Sequence, residues 1–210
     1  MKIFCISDIH GCYKEFTTAL SKIQKSLENE DSKLILLGDY IHGGDGNYEV
    51  CKKVMELQKQ YGTDRVIALM GNHERDCLEN GTPIEPTEKY DKNIEEILLK
   101  WFKTLKLYHV EGNNIFVHAG IDEEAGDLWK VGTPKHYFTD KYPASIGQTP
   151  NLDMNIIAGH IGTSTISGDP NFHDIYHDGH NHYYIDGSTV ESKVLPILYI
   201  DTKSNLYKNY

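Results

Sequence analysis

Three short apolar runs dominate the N-terminal third of the chain: Lys2–Ser7, Lys33–Leu37 and Arg65–Met70. Two stretches of helical spacing separate them. Phe16, Leu20, Ile23 and Leu27 form one stripe, and Val50, Val54, Leu57 and Tyr61 the other. The order β-α-β-α-β predicts parallel strands joined by crossover helices, which confines the chain to an α/β architecture.

The remainder is mixed. A third helix is predicted from Asp91 to about Lys106, with Ile94, Ile97, Leu98, Trp101 and Leu105 turned inward, preceded by a loop at Thr82–Pro86. Strands are predicted at Asn114–Val117, Asn155–Ala158, His182–Ile185 and Val194–Ile200, the last broken or edged by Pro196. Asp122–Pro150, rich in Gly and Pro, reads as a long surface excursion beside a substrate cleft. With no repeat or linker, residues 1–210 read as one domain.

Composition excludes several classes. At 210 residues the chain can bury roughly 70% of its unfolded surface without disulfides. Cys5, Cys12, Cys51 and Cys77 lack zinc-knuckle spacing and read as reduced thiols of a cytoplasmic protein. No run approaches the ~18 apolar residues of a membrane span. A net charge of −10 argues against binding a nucleic-acid backbone, although metal ions could reverse that sign locally for an anionic substrate.

The chemistry lies at the carboxyl end of each strand. Asp8-Ile9-His10-Gly11, Gly38-Asp39-Tyr40 and Gly71-Asn72-His73-Glu74 come directly after the first three strands. Val117-His118-Ala119-Gly120 and Ala158-Gly159-His160 close two strands in the second half. Ligands of α/β sheets bind beyond the carboxyl ends of the strands. Oxygen and imidazole donors without thiolate suit Mn, Fe or Zn. Alternation along the strand end lets Asp8 and His10 reach one ion, and Asp39 could give one oxygen to each of two ions.

These segments resemble the calcineurin-like metallophosphatases. They are most similar to the phosphoprotein phosphatase branch, which includes bacterial Ser/Thr protein phosphatases and symmetrical diadenosine tetraphosphatases. The resemblance runs from residue 1 to about 160 and extends through Tyr184-Ile185-Asp186-Gly187 and Leu195–Ile200. It implies a four-layer sandwich, two mixed β-sheets flanked by helices. It further implies that Asp8, His10 and Asp39 hold the first of two divalent ions, while Asp39, Asn72, His118 and His160 hold the second. The ions would acidify a bridging water to hydroxide, and His73 resembles the family's general acid. Gly159-His160-Ile161-Gly162 lacks the second histidine of the Gly-His-x-His motif common in nuclease branches, which favours the phosphatase branch.

The chain departs from this pattern at Ile41-His42-Gly43-Gly44. Where the family carries Asp-Arg-Gly, the Asp that orients the catalytic His is His42, and the Arg that grips phosphate is Gly43. Asp45 could replace the carboxylate and Arg75 the phosphate grip; His42 itself is either a turn residue or a functional one. Restoring the pattern with His42→Asp plus Gly43→Arg is expected to tighten phosphate binding. His173, His177, His180 and His182 read as a polar loop entering a strand, and Glu74 as a structural residue. The leading activity is hydrolysis of phosphomonoesters, phosphoserine and phosphothreonine of proteins included. The alternatives are a symmetrical dinucleoside tetraphosphate or nucleotide polyphosphate hydrolase, and a metal-binding pseudophosphatase acting as a binding module. The expected partner is a phosphorylated protein or small phosphorylated substrate.

Overall fold

Alternate residues of the first strand are buried on opposite sides. β1 (Lys2–Ile6) sends Phe4 and Ile6 into one apolar cluster and Ile3 and Cys5 into another, as pleating requires when both faces are covered. The computed structural model describes residues 1–84, 91–141 and 152–210. Within them α1 (Tyr13–Leu27) carries the chain to β2 (Ser32–Leu36), and α2 (Asn47–Tyr61) carries it to β3 (Val66–Ala68). The three strands are parallel and in register: Phe4, Leu34 and Val66 lie in one row. The sequence-predicted β-α-β-α-β unit is present.

The second sheet is built from β4 (Tyr108–Glu111), β5 (Asn114–Val117), β6 (Asn155–Ala158), β7 (Tyr176–His177) and β8 (His182–Tyr184). Its order is β4-β5-β6-β8-β7, with β5, β6 and β8 parallel. The chain then returns to the first sheet as β9 (Leu198–Asp201) and β10 (Leu206–Asn209), giving the order β10-β9-β1-β2-β3. Ile3, Cys5, Ile35 and Ile67 of the first sheet meet Phe116 and Ile157 of the second in the central cluster. α1, α2 and α4 (Lys92–Phe102) cover the outer face of the first sheet through Phe16, Ile23, Val54 and Leu98. Trp129 and Phe138 cover the outer face of the second. Each fully buried Leu or Ile contributes about 1.5–3 kcal/mol. These layers form the expected sandwich.

Several boundaries differ from expectation. α4 stops at Phe102, because the chain must turn for Lys106 to pair with Leu69 and accept from the Met70 N–H. Leu105 is buried beyond the helix end, whereas Ile97 is 53% exposed. The last predicted strand begins only at Leu198, past Pro196, whose missing N–H cannot join a ladder. Much of Asp122–Pro150 is a covering layer. A 3-10 turn (Glu123–Leu128), α5 (Trp129–Gly132) and α6 (Tyr137–Asp140) bury Trp129 and Phe138. The rest of that excursion, 142–150, lies outside the described residues, as does Pro86. No helix among the described residues is long and apolar enough to cross a membrane, and the four cysteines are buried and unpaired by disulfides.

Candidate metal and catalytic site

Parallel, in-register strands end level, so the residues just past them converge on one edge. β1, β2 and β3 deliver Asp8 with His10, Asp39, and Asn72 at the start of α3 (Asn72–Glu79); β5 and β6 deliver His118 and His160. A further carboxylate joins them after β8. Asp186 is buried and close enough to raise His10 and to be raised itself by Asp8. Ile185-Asp186-Gly187 repeats the pattern of Asp beside Gly after a strand, and that was the available signal for it.

Tight turns bring the segments together. Asp8, His10, Asp39, His42 and His160 all have φ between +47° and +68°, a left-handed conformation that costs an L-residue roughly 1–2 kcal/mol. Such strain concentrates at functional sites because surrounding structure enforces it. Gly159 has no room for a side chain, since a Cβ there would lie 2.1 Å from Asp8 Oδ2. Glu74 does much of the enforcing. Fully buried, it accepts the backbone N–H groups of Asp39 at 2.9 Å, Tyr40 at 2.8 Å and Gly71 at 3.0 Å. Its carboxylate thereby ties the second strand end to the third.

The donors surround a common gap. His10 Nε2, His73 Nε2 and His118 Nε2 lie 3.6, 3.8 and 3.4 Å from Asp39 Oδ2. These separations are long for hydrogen bonds. They suit co-ligands, because donors about 2.0–2.2 Å from a shared ion sit about 3.3–3.6 Å from each other. His10, Asp39 and His73 form one group able to hold a metal ion, and Asp39, His118 and His160 a second. Asn72 Oδ1 adds to the second group, 3.0 Å from His118 Nε2. Asp8 Oδ1, 3.8 Å from His10 Nε2, is buried without a hydrogen-bond partner among the described residues. Such an orphaned oxygen fits a cation.

Two details add to the sequence reading. His10, His73 and His118 all face Asp39 Oδ2, while Asp39 Oδ1 accepts the His73 backbone N–H at 3.1 Å. His73 also falls within the first donor group, where only an acid role was expected.

The electrostatics agree with an anionic pocket awaiting positive charge. Burial penalises the charged ring of His118, but Asp39 beside it prevails and the pKa is pushed up to about 10. Asp39 is held below the usual carboxylate range; burial opposes this, and His118 and His10 overcome it. Burial and then Asp39 push Glu74 up to about 7, while burial and then Asp8 push Asp186 up to about 8. Burial lowers His73 and His160. The His10 tautomer is fixed by geometry: Nδ1 faces the carbonyls of Ile41 at 3.0 Å and His42 at 2.8 Å, so it donates and leaves Nε2 with its lone pair toward the carboxylates.

The three remaining candidates fare differently. His42 Nδ1 lies 2.8 Å from His73 Nδ1, so His42 itself takes the place expected for Asp45, which sits exposed on the turn. Arg75 is committed elsewhere. Its guanidinium forks onto Asp140 and its Nε faces Glu79 Oε2 at 3.5 Å, so it fastens α6 to α3 rather than offering a free phosphate grip. Position 43 cannot take an arginine without rearrangement, since a Cβ there would lie 2.6 Å from Val190 Cγ2 in the helical turn Thr189–Ser192 and 3.2 Å from His10 Cβ.

The family model for calcineurin-like phosphoesterases matches residues 1–191. A symmetrical bis(5'-nucleosyl)-tetraphosphatase of Nitrosospira multiformis is 31% identical over 128 residues, which is 58% of this chain and 44% of that protein. The chain spans about half the length of the curated relatives it matches. Among solved structures, a serine/threonine phosphatase of Saccharomyces cerevisiae aligns with a TM-score of 0.69 at 14% identity, covering 100% of this chain and 79% of that one. A cold-active protein-tyrosine phosphatase of Shewanella aligns at 0.66 and 18%, covering 99% and 80%. At these identities the two likenesses show the fold.

Proposed function

The chain belongs to the calcineurin-like phosphoesterase family, and we propose that it is a two-metal hydrolase of phosphate esters and anhydrides whose substrates are dinucleoside polyphosphates. The observation that carries the reading is the pair of donor groups sharing Asp39 at the meeting of the strand ends. Asp8, His10 and Asp39 would hold one ion, and Asp39, Asn72, His118 and His160 the other, with Mn, Fe and Zn all compatible with such donors. Divalent ions bound there supply neutralising charge for the phosphoryl oxygens and acidify a water for attack.

The chain's own residues do the rest. Asp39 Oδ2 holds the two groups in one frame, and the carbonyls of Ile41 and His42 aim His10. As the water oxygen bonds to phosphorus and the bridging P–O bond breaks, an alkoxide leaving from an ester needs a proton, whereas the ADP phosphate leaving from an anhydride needs it far less. His73 Nε2, at the edge of the cluster, is assigned that task. The full set of donors argues against a pseudophosphatase.

Protein phosphomonoesters stood first on the sequence alone. The names of the curated relatives support the polyphosphate alternative instead. The test is a substrate panel with Mn²⁺, Fe²⁺ and Zn²⁺: diadenosine tetraphosphate, a phosphoserine peptide and p-nitrophenyl phosphate. Symmetrical cleavage releases ADP alone. Turnover of the peptide but not of the dinucleotide would return the assignment to protein phosphatase. No turnover with any metal would leave a binding module.

A further inference from the structure

The hydrogen bonds around His73 run in one direction. The carbonyl oxygen of Pro83 can only accept, and His42 Nε2 lies 2.9 Å from it, so that nitrogen donates. A neutral imidazole carries one N–H, which leaves His42 Nδ1 with a lone pair. Facing it at 2.8 Å is His73 Nδ1, which must then donate. His73 Nε2 is left on the side of Asp39 Oδ2, 3.8 Å away, and of the donor groups. The reverse assignment would set a lone pair against the Pro83 carbonyl.

His42 is held rigidly enough to transmit this order. Its backbone N–H donates to Asn47 Oδ1 at 2.8 Å, its carbonyl accepts from His10 Nδ1 at 2.8 Å, and its φ is +67°. The ring packs edge-on against His73 with centroids 5.0 Å apart. A turn residue without a task would not need its side chain bonded at both nitrogens.

We propose that His42 is a positioning residue: anchored on the Pro83 carbonyl, it accepts from His73 Nδ1–H and so points Nε2 at the leaving group. There the imidazolium form of His73 gives up its Nε2 proton as the P–O bond breaks and is left neutral with its N–H on Nδ1. The inference rests on the phosphoesterase reading. It deepens that reading by giving the task of a carboxylate to an uncharged ring.

The tautomers can be read without turnover. Long-range proton–nitrogen NMR of histidine-labelled protein, without added metal and at a pH where both rings are neutral, should show His42 protonated on Nε2 and His73 on Nδ1. His73 protonated on Nε2 would overturn the relay. Kinetics give a second reading on alkyl and p-nitrophenyl phosphates. His42→Ala should lower kcat for the alkyl ester about 10–100-fold, the usual worth of such supporting contacts. KM and metal content should not change, since the His42 carbonyl that aims His10 is untouched. The loss should be much smaller with p-nitrophenyl phosphate, whose leaving group hardly needs a proton. His42→Asn should recover most of the rate. Its Oδ1 branches from Cγ as Nδ1 does, and Asn tolerates a left-handed backbone. Equal losses on both substrates, or an Asn variant no better than Ala, would refute the proposal. A wild type inactive on every phosphoester refutes the phosphoesterase reading, and the NMR spectrum alone then decides the relay.

Discussion

Two buried histidine–carboxylate clusters in this chain share a composition and differ in architecture. Away from the strand ends, His182 in β8 has both ring nitrogens engaged, Nδ1 with Asp178 Oδ2 at 2.7 Å and Nε2 with Glu123 Oε1 at 3.3 Å. Lys141 Nζ completes it, 3.3 Å from Glu123. At the strand ends, three rings surround Asp39 Oδ2 at 3.4 to 3.8 Å, Asp8 Oδ1 has no partner among the described residues, and the backbone is strained at five positions. A structural cluster closes on itself. A site leaves its donors facing a gap and depends on its surroundings to keep them there.

The largest expected effect breaks the open cluster at its shared atom. Asp39→Asn should lose bound metal and take phosphoesterase activity to background, whereas Asp8→Asn should lose less of both. Metal analysis with kcat on the two variants tests the order, and equal damage would mean that Asp39 does not serve both groups. The next sharpens the role of His73. His73→Ala should keep its metal and lose about 10²–10⁴ in kcat on alkyl phosphates, and less on p-nitrophenyl phosphate. Loss of metal instead would make His73 a ligand, as its place in the first donor group permits.

Glu74→Gln tests what holds the gap open. The amide can accept for Asp39 and Gly71, but its NH₂ then opposes the Tyr40 N–H. The unpaired buried donor should cost about 1–3 kcal/mol, measured by urea denaturation. An unchanged midpoint would show that the strand ends hold together without it.

The smallest effect belongs to the closed cluster. Burial disfavours a charged His182, but Glu123 and Asp178 outweigh it and raise its pKa above the ordinary 6.5. The stabilisation is fully present below the unfolded value, near 6.5, and is lost as pH rises through the raised folded value. His182→Gln should therefore flatten the fall of stability as pH rises from about 6.5 and leave metal binding and kcat alone. A changed metal content would show that the two clusters are coupled.

The N-terminal unit was legible because its signals are local. Apolar spacing in α1 and α2 and the short runs of β1, β2 and β3 depend on near neighbours, and so does the habit of placing Asp, Asn or His beside Gly just past a strand. From these the sequence alone indicated the β-α-β-α-β unit and placed Asp8, His10, Asp39, Asn72, His118 and His160 just past strands. β4, β7 and β10 escaped notice because each is a sheet-edge strand with no fully buried residue, and β10 gains meaning only from its partner β9.

Only the tertiary structure decided the company each residue keeps. His42 meets His73 from 31 positions away, and Arg75 is claimed by Asp140 from 65 positions away. Asp186 enters the pocket only because β8 lies beside β6 in the second sheet. Periodicity fixes which face a side chain takes within its own element. Register and the path of the turns fix which other element that face meets, and neither is written in the spacing of a single segment.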